Sequence, residues 1–82
     1  MQLQAKFDSI ENVKQFVELA TKFPCDIDVL SEQYILDRKN ILAMFSMDWK
    51  KLVTVNFYGA DDLAKEFCRE LSVILPINRL NV

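Results

Sequence analysis

Residues 34–59, YILDRKNILAMFSMDWKKLVTVNFYG, decide the fold. Tyr34 to Asp37 reads as a short strand. Asn40 is a good N-cap for a short helix over residues 41–46, because its side-chain oxygen can accept an amide of the first turn. Asp48-Trp49-Lys50-Lys51 reads as a loop. Leu52 to Tyr58 is the strongest strand of the chain, with Val53, Val55 and Phe57 on one face and Thr54, Asn56 and Tyr58 on the other. Gly59, the only glycine, follows it and is expected to supply a positive φ at the strand exit.

Outward from this stretch the periodicities alternate. Leu3, Ala5 and Phe7 alternate with Gln2, Gln4 and Lys6, which predicts a half-buried strand over residues 2–7. Asp8 or Ser9 can cap the helix that follows, with Glu11 three residues after Asp8 as in a capping box. Ile10, Val13, Phe16, Val17 and Ala20 recur at helical spacing to about Thr21, and Pro24 pushes Phe23 out of the helical region. Ile27 and Val29 alternate with Asp26 and Asp28 in a strand over residues 26–30, and Ser31-Glu32-Gln33 turns the chain back. After Gly59, Asp61 or Asp62 caps a last helix with the apolar stripe Leu63, Ala64, Phe67, Leu71, Ile74 and Leu75. Pro76 stops it, and Ile77, Leu80 and Val82 form a tail able to pack back. The string βαββαβα predicts an α+β domain over residues 1–82: a two-layer open-faced β-sandwich, its four-stranded antiparallel sheet covered on one face by three helices.

Composition narrows the function classes. The chain has 82 residues, 51% apolar, with one Gly and two Pro, so a single packed core is expected and no linker. Ten basic against twelve acidic residues give a net charge of −2, the wrong sign for a phosphate backbone, so no nucleic-acid partner is expected. No apolar run approaches the ~18 residues of a membrane span. The N-terminus lacks a basic-then-apolar signal, which makes the cytoplasm the expected compartment. Cys25 and Cys68 have no metal-binding spacing and read as two reduced, largely buried thiols. There is no histidine anywhere in the chain.

Three local motifs in order resemble the histidine-containing phosphocarrier protein (HPr) family of the bacterial sugar phosphotransferase system. Phe16-Val17 is similar to that family's core segment of the first helix. Asp37-Arg38-Lys39-Asn40-Ile41-Leu42 resembles the box opening its second helix. Thr54-Val55 through Gly59-Ala60-Asp61-Asp62 resembles its passage into the last helix. The resemblance covers essentially the whole chain and implies the same fold. It does not carry the activity. Counting back from Phe16-Val17 sets Ser9 at the family's phosphoacceptor histidine, Glu11 at its arginine and Asn12 at its proline. A neutral imidazole and a nearby cation are what such phosphoryl transfer needs; here the nucleophile is lost and an acid replaces the cation. Asn40 stands where Gram-positive members have a regulatory serine, and it keeps a capping oxygen that cannot be phosphorylated.

The expected function is therefore a non-enzymatic, cytoplasmic interaction or regulatory module with an unidentified protein partner, no cofactor and no metal. The family's second helix carries an exposed apolar docking patch, and the matching side chains here are Leu42, Phe45, Met47 and Trp49, with Ile41 and Met44 expected to face the core. Two alternatives stand beside this one. Ser9, at a helix N-terminus, could itself be a phosphoacceptor, or the free sheet face bearing Tyr34, Asn56 and Tyr58 could form a homodimer. Asp26, Asp28, Asp37, Asp61 and Asp62 read as caps and solvated faces rather than as metal ligands or acid–base groups.

Overall fold

A computed structural model of the chain describes residues 1–32, 34–37, 40–46 and 52–80, with the backbone alone at Leu80. Five strands and three helical segments alternate. They are β1 (Gln2–Ala5), α1 (Ile10–Lys22), β2 (Asp26–Leu30), β3 (Ile35–Leu36), a 3-10 helix (Ile41–Ser46), β4 (Val53–Tyr58), α2 (Asp61–Ile74) and β5 (Ile77–Leu80). The strands form one antiparallel sheet in the order β3-β2-β4-β1-β5. The fold is α+β, as the patterning predicts, but the sheet has five strands rather than four.

The fifth strand has a definite cause. Met1 and Phe57 exchange backbone hydrogen bonds at 2.8 and 2.9 Å, so Leu3 and Ala5, two and four residues on, also bond to β4. Gln2 and Gln4 therefore turn their amides away from β4, and β5 satisfies them in the pairs Gln2–Leu80 and Gln4–Asn78. Residues 77–80 thus form a ladder rather than a loosely packed tail. The side chain of Leu80 and all of Val82 lie outside the described residues. So do Met47, Trp49 and the expected loop over residues 48–51.

One face of the sheet is dry. Leu3, Ala5, Ile27, Val29, Leu36, Val53, Val55 and Phe57 point into it, against Val13, Phe16, Val17 and Ala20 of α1 and Ala64, Phe67 and Leu71 of α2. Among the described residues no polar or charged side chain is buried. Five of the six phenylalanines form a connected cluster centred on Phe67. Its ring meets Phe57 at 5.0 Å, Phe23 at 5.3 Å and Phe16 at 6.3 Å, and Phe7 joins through Phe16 at 5.5 Å. Such pairs contribute about 0.5–1.5 kcal/mol each beyond the area they bury. Phe45 stands outside this cluster.

α1 and α2 run antiparallel. The start of α1 reaches the end of α2 where Asn12 Nδ2 donates to the Ile74 carbonyl at 3.4 Å. At the other end Phe23 and Leu63 border one depression. α1 also packs against the 3-10 helix, so it lies between that helix and α2. Ile10 departs from the expected stripe: as the first residue of α1 it is 48% exposed, and Leu19 takes a core place instead.

Two of the expected terminal signals work differently. α2 is capped by the Ala60 backbone with no side-chain hydrogen bond, while Asp61 and Asp62 occupy its first turn, where acids favour the positive end of the helix dipole. Gly59 has no positive φ. Its reason is space, because a Cβ there would lie 2.5 Å from Phe57 Cε1 and 2.6 Å from Cys25 Sγ. Gly59→Ala is accordingly expected to lose about 1–3 kcal/mol by overpacking. Adding Cys25→Ala is expected to restore part of that loss, since the two changes share one crowded spot. Urea unfolding of the two single variants and the double variant measures both effects; strict additivity would rule out crowding by Cys25, and no loss in Gly59→Ala would refute the packing explanation.

Candidate docking surface

The segment between β3 and β4 begins with a lock. Asp37 N–H donates to Asn40 Oδ1 at 2.7 Å, and Asn40 N–H returns to Asp37 Oδ1 at 3.3 Å and to the Asp37 carbonyl at 3.2 Å. Asn40 thus reaches back to the strand end instead of capping forward, although its carbonyl does accept the first helical bond, from Ala43 N–H at 2.9 Å. That bond spans three residues, and the turn is a 3-10 helix. Its three-residue period eclipses side chains at i and i+3. Ile41 and Met44 share the inward side, 4% and 0% exposed, and anchor the segment in the core. Leu42 and Phe45 share an outward side, 67% and 41% exposed.

The structure therefore leaves two of the four expected docking residues exposed beside each other. Met47 and Trp49 lie outside the described residues. The same part of the chain carries further apolar surface that the helical pattern did not single out. Of the eight large apolar side chains left exposed among the described residues, Tyr34, Ile35, Leu42, Phe45 and Leu52 fall within residues 34–52. Ile35 was hidden in the sequence because β3 has only two residues, too short for an alternation to register.

Ser9, Glu11 and Asn12 come together at the start of α1, in a structural arrangement. Ser9 is the N-cap, and its Oγ accepts from Asn12 N–H at 3.3 Å. Asn12 Oδ1 accepts from Asp8 N–H at 3.2 Å while its Nδ2 donates to the Ile74 carbonyl. This reciprocal cap uses Ser9 and Asn12 rather than Asp8 and Glu11. Glu11 is exposed in the first turn.

The carboxylates and thiols are dispersed. Asp28 accepts from Tyr58 Oη across the open face at 3.1 Å. That hydrogen bond, followed by desolvation and the Asp28 charge, raises the Tyr58 phenol above its ordinary 10.0. Among the described residues no group of three or more Cys, Asp or Glu is placed to hold a metal ion. Cys25 and Cys68 carry no disulfide and are half-buried, less enclosed than their expected core positions. Cys68 Sγ lies 3.0 Å from Met1 Sδ, and burial raises its thiol pKa against the opposing pull of Arg79 and the N-terminal ammonium. Among the described residues no helix is long and apolar enough to cross a membrane.

Two measurements test these assignments. If Ser9 is a cap, Ser9→Ala is expected to lose about 1 kcal/mol while Ser9→Asp stays within about 0.5 kcal/mol of wild type; equal losses in thermal unfolding would remove the capping role. The raised Tyr58 pKa means that its bond to Asp28 favours the fold below pH 10.0 and is lost as pH climbs through the folded-state value. Asp28→Asn is expected to move the phenol back toward its ordinary value, read by ultraviolet titration in a Tyr34→Phe background. No family model matches the chain, and no curated protein matches it.

Proposed function

We propose that the chain is an HPr-like domain that has given up phosphocarrier activity and serves as a cytoplasmic protein-interaction module. Its docking surface is the outward side of the 3-10 helix. One observation carries this reading: Leu42 and Phe45 stay exposed while Ile41 and Met44, one residue before each, hold the same turn rigidly in the core. An apolar pair on an anchored turn offers a partner contact area at small entropic cost, as interface anchors do.

The order β-α-β-β-helix-β-α that precedes β5, the chain's lack of histidine and Asn40 at the serine-equivalent place support a retained scaffold without either of that family's switches. Ser9 is a poorer phosphoacceptor than its position suggests, because it is half-buried and its oxygen already accepts the Asn12 amide. A homodimer through the sheet face would draw on Tyr58 and Ile35, both exposed, yet the centre of that face is amide-rich, with Gln2 Nε2 donating to Asn56 Oδ1 at 2.9 Å.

The test is affinity capture from the native cytosol with wild type, Phe45→Asp and Phe45→Leu side by side, with intact-mass analysis. The partner is expected to be retained by wild type, to weaken by roughly 2 kcal/mol or about thirtyfold with Phe45→Asp, and to return with Phe45→Leu, all three proteins being folded by circular dichroism. Retention unaffected by Phe45→Asp would sink this reading. A phosphoryl group on Ser9 would establish the other chemistry.

A further inference from the structure

A second surface lies on the opposite flank of α1, where it meets α2. Two adjoining depressions of about 320 and 300 Å³ run along the outer side of the helix pair. The first is bordered by Glu18, Leu19, Lys22, Glu70, Val73 and Ile74; the second continues past Glu66 to Phe23, Pro24 and Leu63. Lys22 and Glu70 line both, so the two form one groove. By the helical rise its floor extends roughly 16 Å along α2, from Leu63 to Ile74, which is about three turns of a partner helix.

Three properties of the groove act together. Its floor is apolar, and Val73 at its rim is 84% exposed, the most exposed large apolar side chain among the described residues. Its rim is acidic: Glu18, Glu66 and Glu70 face a single cation, Lys22. Among the described residues none of these three carboxylates forms an ion pair, although Lys22 stands one turn from Glu18 on the same helix. With three carboxylates and one ammonium, the side chains lining the groove carry a net charge of −2, with Glu18 on α1 and Glu66 and Glu70 on α2.

We infer that this groove docks a basic amphipathic helix of a partner protein. Apolar side chains of that helix at i, i+3/i+4 and i+7 would enter the trough over Leu19, Val73 and Ile74, and lysines or arginines on its flanks would meet Glu18, Glu66 and Glu70. An acidic or neutral helix would leave the same carboxylates unpaired, so the rim selects by sign. The partner helix would lie along α1 and α2 and extend the helical layer. This surface is separate from Leu42 and Phe45, and the inference does not rest on the function proposed for them.

The experiment is an NMR titration of the protein with a synthetic helical peptide bearing a leucine stripe flanked by lysines, beside a copy with every lysine changed to glutamate. The basic peptide is expected to shift the amides of Glu18, Leu19, Lys22, Glu66, Glu70 and Val73, with a Kd that rises with salt. Glu66→Lys combined with Glu70→Lys is expected to weaken it about tenfold or more, and Val73→Asp to weaken it as well. Phe45→Asp is expected to leave it unchanged. These groove positions are exposed or at the rim, so circular dichroism is expected to report an intact fold in each variant. Equal binding of the glutamate peptide, shifts scattered away from the groove, or no shift at millimolar peptide would overturn the inference.

Discussion

The contact on which everything else depends is the ring of Phe67. It is held between Phe16 of α1, Phe23 at the end of α1 and Phe57 of β4, so one side chain fixes both long helices against the sheet. A chain of 82 residues has room for one core, and this one carries no disulfide between its cysteines and no buried polar pair among the described residues. Edge-to-face rings have preferred angles as well as distances. Here the Phe7–Phe16, Phe16–Phe67 and Phe23–Phe67 contacts take that edge-to-face geometry, and the last two tie α1 to α2. α1 in turn provides the seat for Ile41 and Met44, without which the exposed pair beside them would not be held in place.

Polar groups take their roles from that arrangement. Ser9 and Asn12 tie the start of α1 to the end of α2, and Asp37 with Asn40 ties the end of β3 to the 3-10 helix. These are bonds at element ends, where backbone groups would otherwise lack partners. Ser9, Asn12 and Asn40 thus serve as structural hydrogen-bonding groups, while the exposed apolar pair Leu42 and Phe45 sits on the 3-10 helix that follows Asn40.

Much of the architecture was legible because its signals are periodic. β1, α1, β2, β4 and α2 each repeat an apolar position at spacing two or three to four, and Ile41 and Met44, three residues apart, face inward as that spacing predicts. What escaped depended on contacts distant in sequence. β5 reads INRL, with no apolar alternation, and exists because Gln2 and Gln4 need partners on their free side. Gly59 reads as a turn residue, yet it is small because the Phe57 ring and Cys25, from another part of the chain, both come close. Asp61 and Asp62 have the chemistry of caps, but the chain enters α2 one residue too early for either to act as one. Spacing puts Leu42 and Phe45 on one side of the short helix, and the family resemblance, rather than the pattern itself, makes that side the exposed one. The groove was not legible, because Glu18 and Glu70 are 52 positions apart and only helix packing brings them to one rim.

The position of β1 has a consequence for how the molecule is made. Of the five strands β1 is made before the others, yet it pairs with β4 on one side and β5 on the other, and both come from much later in the sequence. During synthesis β1 can find neither neighbour for most of the translation time, and its second edge stays open until residues 77–80 emerge. The helices and the β2–β3 pair can form earlier, since their bonds are local, but β1 gains its two neighbours only in turn and late. Such a high separation between partners slows folding relative to helical bundles of similar size. The alternating glutamines of β1 have a second use in that interval: they keep one face of the waiting strand polar, which makes it a poor seed for pairing with another nascent copy.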